Sequence, residues 1–132
     1  MMKINIFQEN VKFNETKSRM KEVYLSDERP WVVGYSGGKD SSATVQLVIQ
    51  MLNEIAPDKR HKPVYVITSD TLVENPMILA WMDESLDKIQ QVANQHELPI
   101  QTKKVYPKSN DTFWVNLIGK GYPSPRQKFR WC

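Results

Sequence analysis

Cysteine is nearly absent from this sequence. Of its 132 residues only Cys132 carries a thiol, so no disulfide can form within the chain. Histidine is almost as scarce. His61 and His96 are the only two; they lack metal-ligand spacing, and both fall near expected helix ends, where they read as surface residues. Long apolar runs are missing as well. None approaches the roughly 18 residues that a membrane span requires, and the opening Met1-Met2-Lys3-Ile4-Asn5 lacks the apolar core of a secretory signal. No membrane partner and a cytoplasmic location are therefore expected. Internal repeats and low-complexity segments are also lacking. The composition is that of an ordinary soluble protein, 40% hydrophobic and 25% charged. The length suits one domain with a real core, and not comfortably two.

Charge is unevenly spread. Residues 101–132 hold seven cations (Lys103, Lys104, Lys108, Lys120, Arg126, Lys128, Arg130) against Asp111 alone, while residues 1–100 hold eleven basic and fourteen acidic groups. A basic tail on a slightly acidic body points to an anionic partner, nucleotide phosphate or nucleic acid; a solvated basic surface is the alternative reading.

One stretch organises the rest: Pro30-Trp-Val-Val-Gly-Tyr-Ser-Gly-Gly-Lys-Asp-Ser-Ser42. Trp31, Val32 and Val33 read as strand, two glycines break it, and an apolar segment of helical length follows. Strand, tight glycine turn and helix together form a phosphate-holding geometry. Glycine reaches positive φ and lets backbone approach an anion. The first N–H groups of the helix have no internal partners and carry the positive end of its dipole. Lys39 adds a mobile cation, and Ser36, Ser41 and Ser42 add hydroxyl donors. Asp40 suits such a place if it cooperates with a divalent cation or caps the helix. The spacing excludes two other phosphate loops. A Walker A loop needs four residues between its glycines and Ser or Thr after its lysine, and the dinucleotide fingerprint needs a third glycine; neither is present.

Along the chain, residues 1–15 show weak periodicity. Glu15 to Asp27 forms an expected helix with Met20, Val23, Tyr24 and Leu25 to one side. Trp31–Tyr35 is the first strand. The helix from Ser41 to Ile55 places Val45, Val48, Ile49 and Leu52 at i, i+3, i+4, i+7. Residues 63–68 form a nearly all-apolar second strand, as a central parallel strand requires. Asn75-Pro76 opens a helix that runs to about His96, with Ile78, Met82, Leu86, Ile89 and Ala93 on one stripe. Residues 99–106, more polar, form a third strand nearer an edge. Thr112–Ile118 is a short apolar helix or turn, and a Gly/Pro-rich basic loop follows. Trp81 and Trp114 read as core. The β-α-β-α-β order predicts an α/β fold with a parallel sheet and right-handed crossovers. In such sheets ligands bind beyond the carboxyl ends of the strands, where Ser36–Ser42, Ser69–Glu74 and Tyr106–Asp111 all fall.

Two further constellations accompany the loop. Asp70 and Thr71 close the second strand, where Asp70 suits ribose or metal-bound water and Thr71 the nucleotide; the alternative is that both merely turn the chain. Arg126, Lys128 and Arg130 alternate with Phe129 and Trp131, combining phosphate-pairing cations with rings able to stack on bases. Cys132 stays open between nucleophile, metal ligand and no role.

Ser36-Gly-Gly-Lys-Asp-Ser41 resembles the PP-loop of the ATP pyrophosphatase superfamily. With Ser69-Asp-Thr-Leu-Val-Glu-Asn-Pro76, Asn110-Asp-Thr-Phe-Trp-Val-Asn-Leu-Ile-Gly119 and Gly121-Tyr-Pro-Ser-Pro-Arg-Gln-Lys-Phe-Arg-Trp-Cys132, the chain resembles the N-terminal half of the DndC family, phosphoadenosine-phosphosulfate-reductase-like proteins of DNA phosphorothioation. The resemblance covers about residues 20–132. It implies a PP-loop (adenine nucleotide alpha hydrolase-like) fold, with a helical segment over residues 1–28 and the nucleotide-binding domain over 29–132, truncated on its C-terminal side. It implies that ATP, with Mg²⁺, is bound by Ser36, Gly37, Gly38, Lys39, Asp40, Ser41, Ser42, Asp70 and Thr71, with Lys39, Asp40 and Ser41 taking part in catalysis. It also implies DNA, a cysteine desulfurase and other Dnd proteins as partners, with a C-terminal fragment to complete the fold. The family carries a [4Fe–4S] cluster on four cysteines, of which Cys132 matches the first, so this chain alone is not expected to hold the cluster. Two rival readings stand beside the enzyme of DNA sulfur insertion: a reductase of adenylyl sulfate or phosphoadenylyl sulfate, and an inactive nucleotide- or DNA-binding fragment. A truncated sheet is further expected to leave Trp114, Val115, Leu117 and Ile118 as an exposed patch.

Overall fold

The computed structural model describes residues 11–131. A first helix, α1 (Val11–Ser26), precedes strand β1 (Trp31–Gly34), helix α2 (Lys39–Glu54), strand β2 (Val64–Ser69), helix α3 (Pro76–Gln95) and strand β3 (Ile100–Val105). Two single turns, Ser109–Asp111 and a wide π-type turn at Val115–Gly119, lead into the basic tail. Cys132 and the weakly periodic stretch 1–10 lie outside the described residues.

The three strands form one sheet in the order β1-β2-β3, both pairs parallel. Polar β3 is an edge and apolar β2 the centre, as the hydropathy requires. Register places Val33 beside Val66 and Thr102, and Val64 beside Ile100. On this face the strands share one core with Val45, Val48, Ile49, Met51 and Leu52 of α2 and with Leu86 and Ala93 of α3. Successive strand residues face opposite ways, and the other face is open: Val32 is 63% exposed, and Lys103 lies 5.1 Å over the Tyr65 ring.

Helix α3 starts and stops for local reasons. Asn75 accepts the Met77 N–H at 2.9 Å, and Pro76 occupies the first helical position. At the far end of α3, Glu97 takes a left-handed φ of 52°, while the Leu98 N–H reaches the Ala93 carbonyl at 2.8 Å. This is a Schellman closure that tucks buried Leu98 under the helix. Helix α2 starts at Lys39, two residues before the expected Ser41, so Lys39 and Asp40 belong to its first turn.

Several core expectations need correction. In α1 Tyr24 is buried and Met20 packs on the core, but Val23 and Leu25 are exposed. The helix offers the core one narrow stripe, and residues one position either side of Tyr24 turn away from it. Ile78, expected in the core stripe of α3, is exposed at its first turn, beyond the end of the strands. Trp81 and Trp114 are 49% and 56% exposed, not core. Trp81 lies roughly a quarter-turn off the apolar stripe of α3, and Trp114 follows the last strand, where no helix covers it. The anticipated patch is partly present: Ile118 is exposed with Trp114, whereas Val115 and Leu117 are half-buried. His61 and His96 are exposed.

At the amino ends of the strands a buried latch ties α1 to the sheet. Lys62 is 1% exposed, with its ammonium 2.7 Å from Asp27 and 4.8 and 5.3 Å over the rings of Tyr24 and Trp31. Tyr24 in turn donates its hydroxyl to the Lys62 carbonyl at 2.8 Å.

Candidate phosphate and nucleotide site

At the opposite, carboxyl end of the sheet, the chain leaves β1 through Tyr35 and Ser36 and turns at Gly37, whose φ is +74°. Gly38 precedes α2 without a side-chain cap. The first internal bond of the helix runs from Ser42 N–H to the Gly38 carbonyl at 3.0 Å, so the N–H groups of Lys39, Asp40 and Ser41 have no partner within the helix. Ser41 serves the loop itself. Its Oγ donates to the Gly38 carbonyl at 3.1 Å, accepts the Ser36 N–H at 3.3 Å, and lies 3.2 Å from Ser36 Oγ. Lys39 and Asp40 form a 2.9 Å ion pair with both side chains 91% exposed. Such pairs contribute little, so Lys39 can leave Asp40 for an incoming anion.

The loop opens onto a cleft of about 440 Å³ over the ends of β1 and β2, walled by Ser36, Ile67, Ser69 and Glu74 and by Ile78 and Met82 of α3. The β2–α3 loop forms its far rim and is locked by its own side chains. Buried Asp70 accepts the Leu72 N–H at 2.9 Å and holds Leu72 in a left-handed conformation, φ 67°. Glu74 accepts both the hydroxyl and the N–H of Thr71, and also the Val73 N–H. Burial pushes the Glu74 carboxyl up, but these hydrogen bonds outweigh it and hold the group below its ordinary range. Neither Asp70 nor Thr71 lines the cleft itself: the Thr71 hydroxyl and N–H and one Asp70 oxygen are engaged within the rim, and Thr71 faces a separate cavity.

Sequence reasoning missed Glu74. Glu74 is the one acid close behind Asp70-Thr71, and it falls before the proline that starts α3.

The basic tail comes back toward this end of the sheet. Trp131 stacks on Phe113 at 5.3 Å and donates its indole N–H to the Pro123 carbonyl at 2.7 Å. Phe113, Trp131 and Thr71 share a cavity of about 130 Å³ with Pro107, Asp111 and Asn116. Arg126 and Phe129 exchange backbone hydrogen bonds of 2.9 and 3.0 Å, closing a turn that carries Lys128. Arg126, Lys128 and Arg130 are all exposed, and none lines the cleft. Asp111, the lone acid of the tail, pairs with Lys120 at 2.7 Å, and that hydrogen bond holds its carboxyl below the usual range.

Among the described residues no three His, Cys, Asp or Glu side chains gather as a metal site. Asp40 therefore suits Mg²⁺ only as a single protein ligand to an ion that phosphate oxygens mostly hold. The four-thiolate set of a [4Fe–4S] cluster does not fit a sequence with one cysteine. No helix among the described residues is long and apolar enough to cross a membrane.

This geometry decides the fold class. The fold is an α/β one with a parallel three-stranded sheet. Among solved structures, the U34-tRNA thiolase NcsA from Methanococcus maripaludis, described with its [4Fe–4S] cluster, matches 86% of this chain and 36% of its own, with a TM-score of 0.51 and 18% identity. A universal stress protein family member from Burkholderia pseudomallei overlaps more loosely, over 73% of this chain and 77% of its own, with a TM-score of 0.42 and 16% identity. The uncharacterized protein MJ0066 of Methanocaldococcus jannaschii is 26% identical over 113 residues, which is 86% of this chain. The chain spans 19% of the length of that relative. No family model matches the chain.

Proposed function

We propose that this chain is the nucleotide-binding part of an ATP pyrophosphatase/sulfurtransferase of the DndC kind, acting in DNA phosphorothioate modification. The observation that carries the reading is the Ser36–Ser42 loop: a left-handed glycine, a helix N-terminus with free N–H groups and a displaceable lysine, all beside one cleft.

A phosphodiester oxygen is a poor leaving group, so sulfur cannot displace it directly. In the proposed reaction a nonbridging oxygen of the DNA backbone attacks the α-phosphorus of ATP. The bond to the β-phosphate oxygen breaks, and pyrophosphate departs. A sulfur nucleophile then attacks the DNA phosphorus, and the original oxygen leaves with AMP. The N–H groups of Lys39, Asp40 and Ser41, together with the Lys39 ammonium, stabilise the charge that develops on departing pyrophosphate. Mg²⁺, when bound through Asp40, adds charge neutralisation at the same phosphates. The half-exposed rings and cations of the tail suit a nucleic-acid backbone beside this end of the sheet, with Arg126, Lys128 and Arg130 as its contacts. A cysteine desulfurase supplies the sulfur in this reading, and the other Dnd proteins are the remaining partners.

The test is to incubate the chain with Mg-ATP and a DNA duplex and follow pyrophosphate. DNA-dependent release supports the reading. ATP binding without release favours a binding module, and tighter binding of adenylyl sulfate than of ATP favours the reductase alternative.

A further inference from the structure

We propose that Trp81 is a positioning residue for the phosphate loop, pinning Gly37 from the side of α3. The inference rests on the reading of Ser36–Ser42 as a phosphate site. A Cβ built on Gly37 would lie 2.3 Å from Trp81 Cζ3 and 2.7 Å from Cη2. The outer edge of the indole therefore sits directly on the glycine backbone, and no other residue type fits beneath it.

Packing alone does not account for this tryptophan. Its ring is 49% exposed and stands outside the core cluster. Burial of a large ring stabilises in proportion to the area removed from water, so this position wastes much of what tryptophan offers. What the ring does meet is the one residue of the loop whose backbone is freest. A left-handed glycine is permissive by nature, and every conformation it visits re-aims the N–H groups that follow.

The ring is itself held from behind. Trp81 stands in the second turn of α3. The start of that helix is fastened to the end of β2 by the Asn75 cap, by Glu74 closing on Thr71, and by Asp70 fixing Leu72. Trp81 thus joins two loops that belong to different strands. The rigid β2–α3 rim sets the indole, and the indole sets Gly37. Releasing one residue from a single backbone conformation frees enough entropy to weaken binding about tenfold.

Trp81→Phe is the test, because phenylalanine keeps an apolar ring at a half-exposed position but lacks the outer atoms that reach Gly37. The probes are inorganic pyrophosphate, which needs only the loop, and adenosine, which does not need it. Isothermal titration of the full chain should show pyrophosphate affinity falling about tenfold, with adenosine affinity and melting temperature unchanged. Amide exchange at Gly38 and Lys39 should speed up in the variant. Gly37→Ala should lose pyrophosphate binding, and combining it with Trp81→Phe should recover part of it by relieving the clash. Equal pyrophosphate affinity in wild type and Trp81→Phe would overturn the proposal, as would a loss confined to adenosine, which would make the ring a base platform. If the wild-type chain itself binds no pyrophosphate, the phosphate-site reading fails and the role of Trp81 fails with it.

Discussion

Replacing Tyr24 with phenylalanine removes one oxygen atom from the base of the sheet. The Tyr24 ring is fully buried and meets Trp31 edge-on at 5.4 Å. Its hydroxyl donates to the Lys62 carbonyl at 2.8 Å. Phenylalanine keeps the ring, so the change isolates one buried hydrogen bond and leaves a carbonyl without that donor. Such a loss costs about 2 kcal/mol. At about 4 °C per kcal/mol for a chain of this size, the melting temperature should fall by about 8 °C. Circular dichroism across pH adds a second reading. Burial raises the Tyr24 phenol above its ordinary 10.0, against the pull of the Lys62 carbonyl and the Arg60 charge. A group whose folded pKa is raised contributes its full stability below the unfolded pKa and loses it as pH climbs through the folded one. Wild type should therefore weaken above pH 10 relative to its own neutral value, and Tyr24→Phe should show a smaller alkaline limb, the part that remains coming from Lys104 and Lys120, whose ion pairs also raise their folded pKa values. Asp27 supplies the opposite limb. The hydrogen bond from Lys62, then the one from Arg29, lowers its carboxyl from 3.8 to about 2, so its contribution is present above 3.8 and lost as pH falls through about 2. That acid limb should survive in the variant. A melting temperature within about 1 °C of wild type, or alkaline limbs of equal size in the two proteins, would refute the reasoning.

Lys39→Ala removes the mobile cation, and pyrophosphate titration should show affinity about ten- to a hundredfold weaker; equal affinities would sink the loop assignment. Asp40→Asn should leave metal-free pyrophosphate binding intact and abolish its enhancement by Mg²⁺; an unchanged Mg²⁺ dependence would remove Asp40 from that role. Glu74 has a lowered carboxyl pKa in the folded chain, so its hold on the β2–α3 rim is fully present above the ordinary value of 4.5 and is lost as pH falls through the lowered folded value; the Thr71 amide, followed by NMR, should exchange faster at that acidic end, and in Glu74→Gln already at neutral pH. Neutralising Lys128 and Arg130 should weaken DNA binding equally on all sequences and flatten its salt dependence by about one unit per lost contact. Binding that ignores salt would exclude the tail as a backbone contact.

The order of elements was legible in the sequence because each signal is local. A nearly all-apolar run, Val64 to Ile67 before Thr68 and Ser69, suits a central strand, as β2 is, and a Pro after Asn marks the start of α3, with Asn75 as its cap. The strand–glycine–helix turn at Ser36–Ser42 was legible for the same reason, since the conformations of Gly37 and Gly38 and the free N–H groups behind them depend on a few neighbouring residues. Other features depend on what lies across space. Trp81 reads as core in one dimension, and only the placement of α3 against the β1–α2 turn sets its ring on Gly37. Glu74 is one acid among fifteen, and its role appears when the end of β2 folds Thr71 beneath it. Nothing local in the sequence singles out Lys62. It is buried because Tyr24, Trp31 and Asp27 arrive from two other elements and surround its ammonium with rings and a carboxylate. Backbone conformation follows from short-range sterics and hydrogen bonding, which a sequence spells out; the partners of a side chain follow from packing between distant segments, which the tertiary structure alone decides.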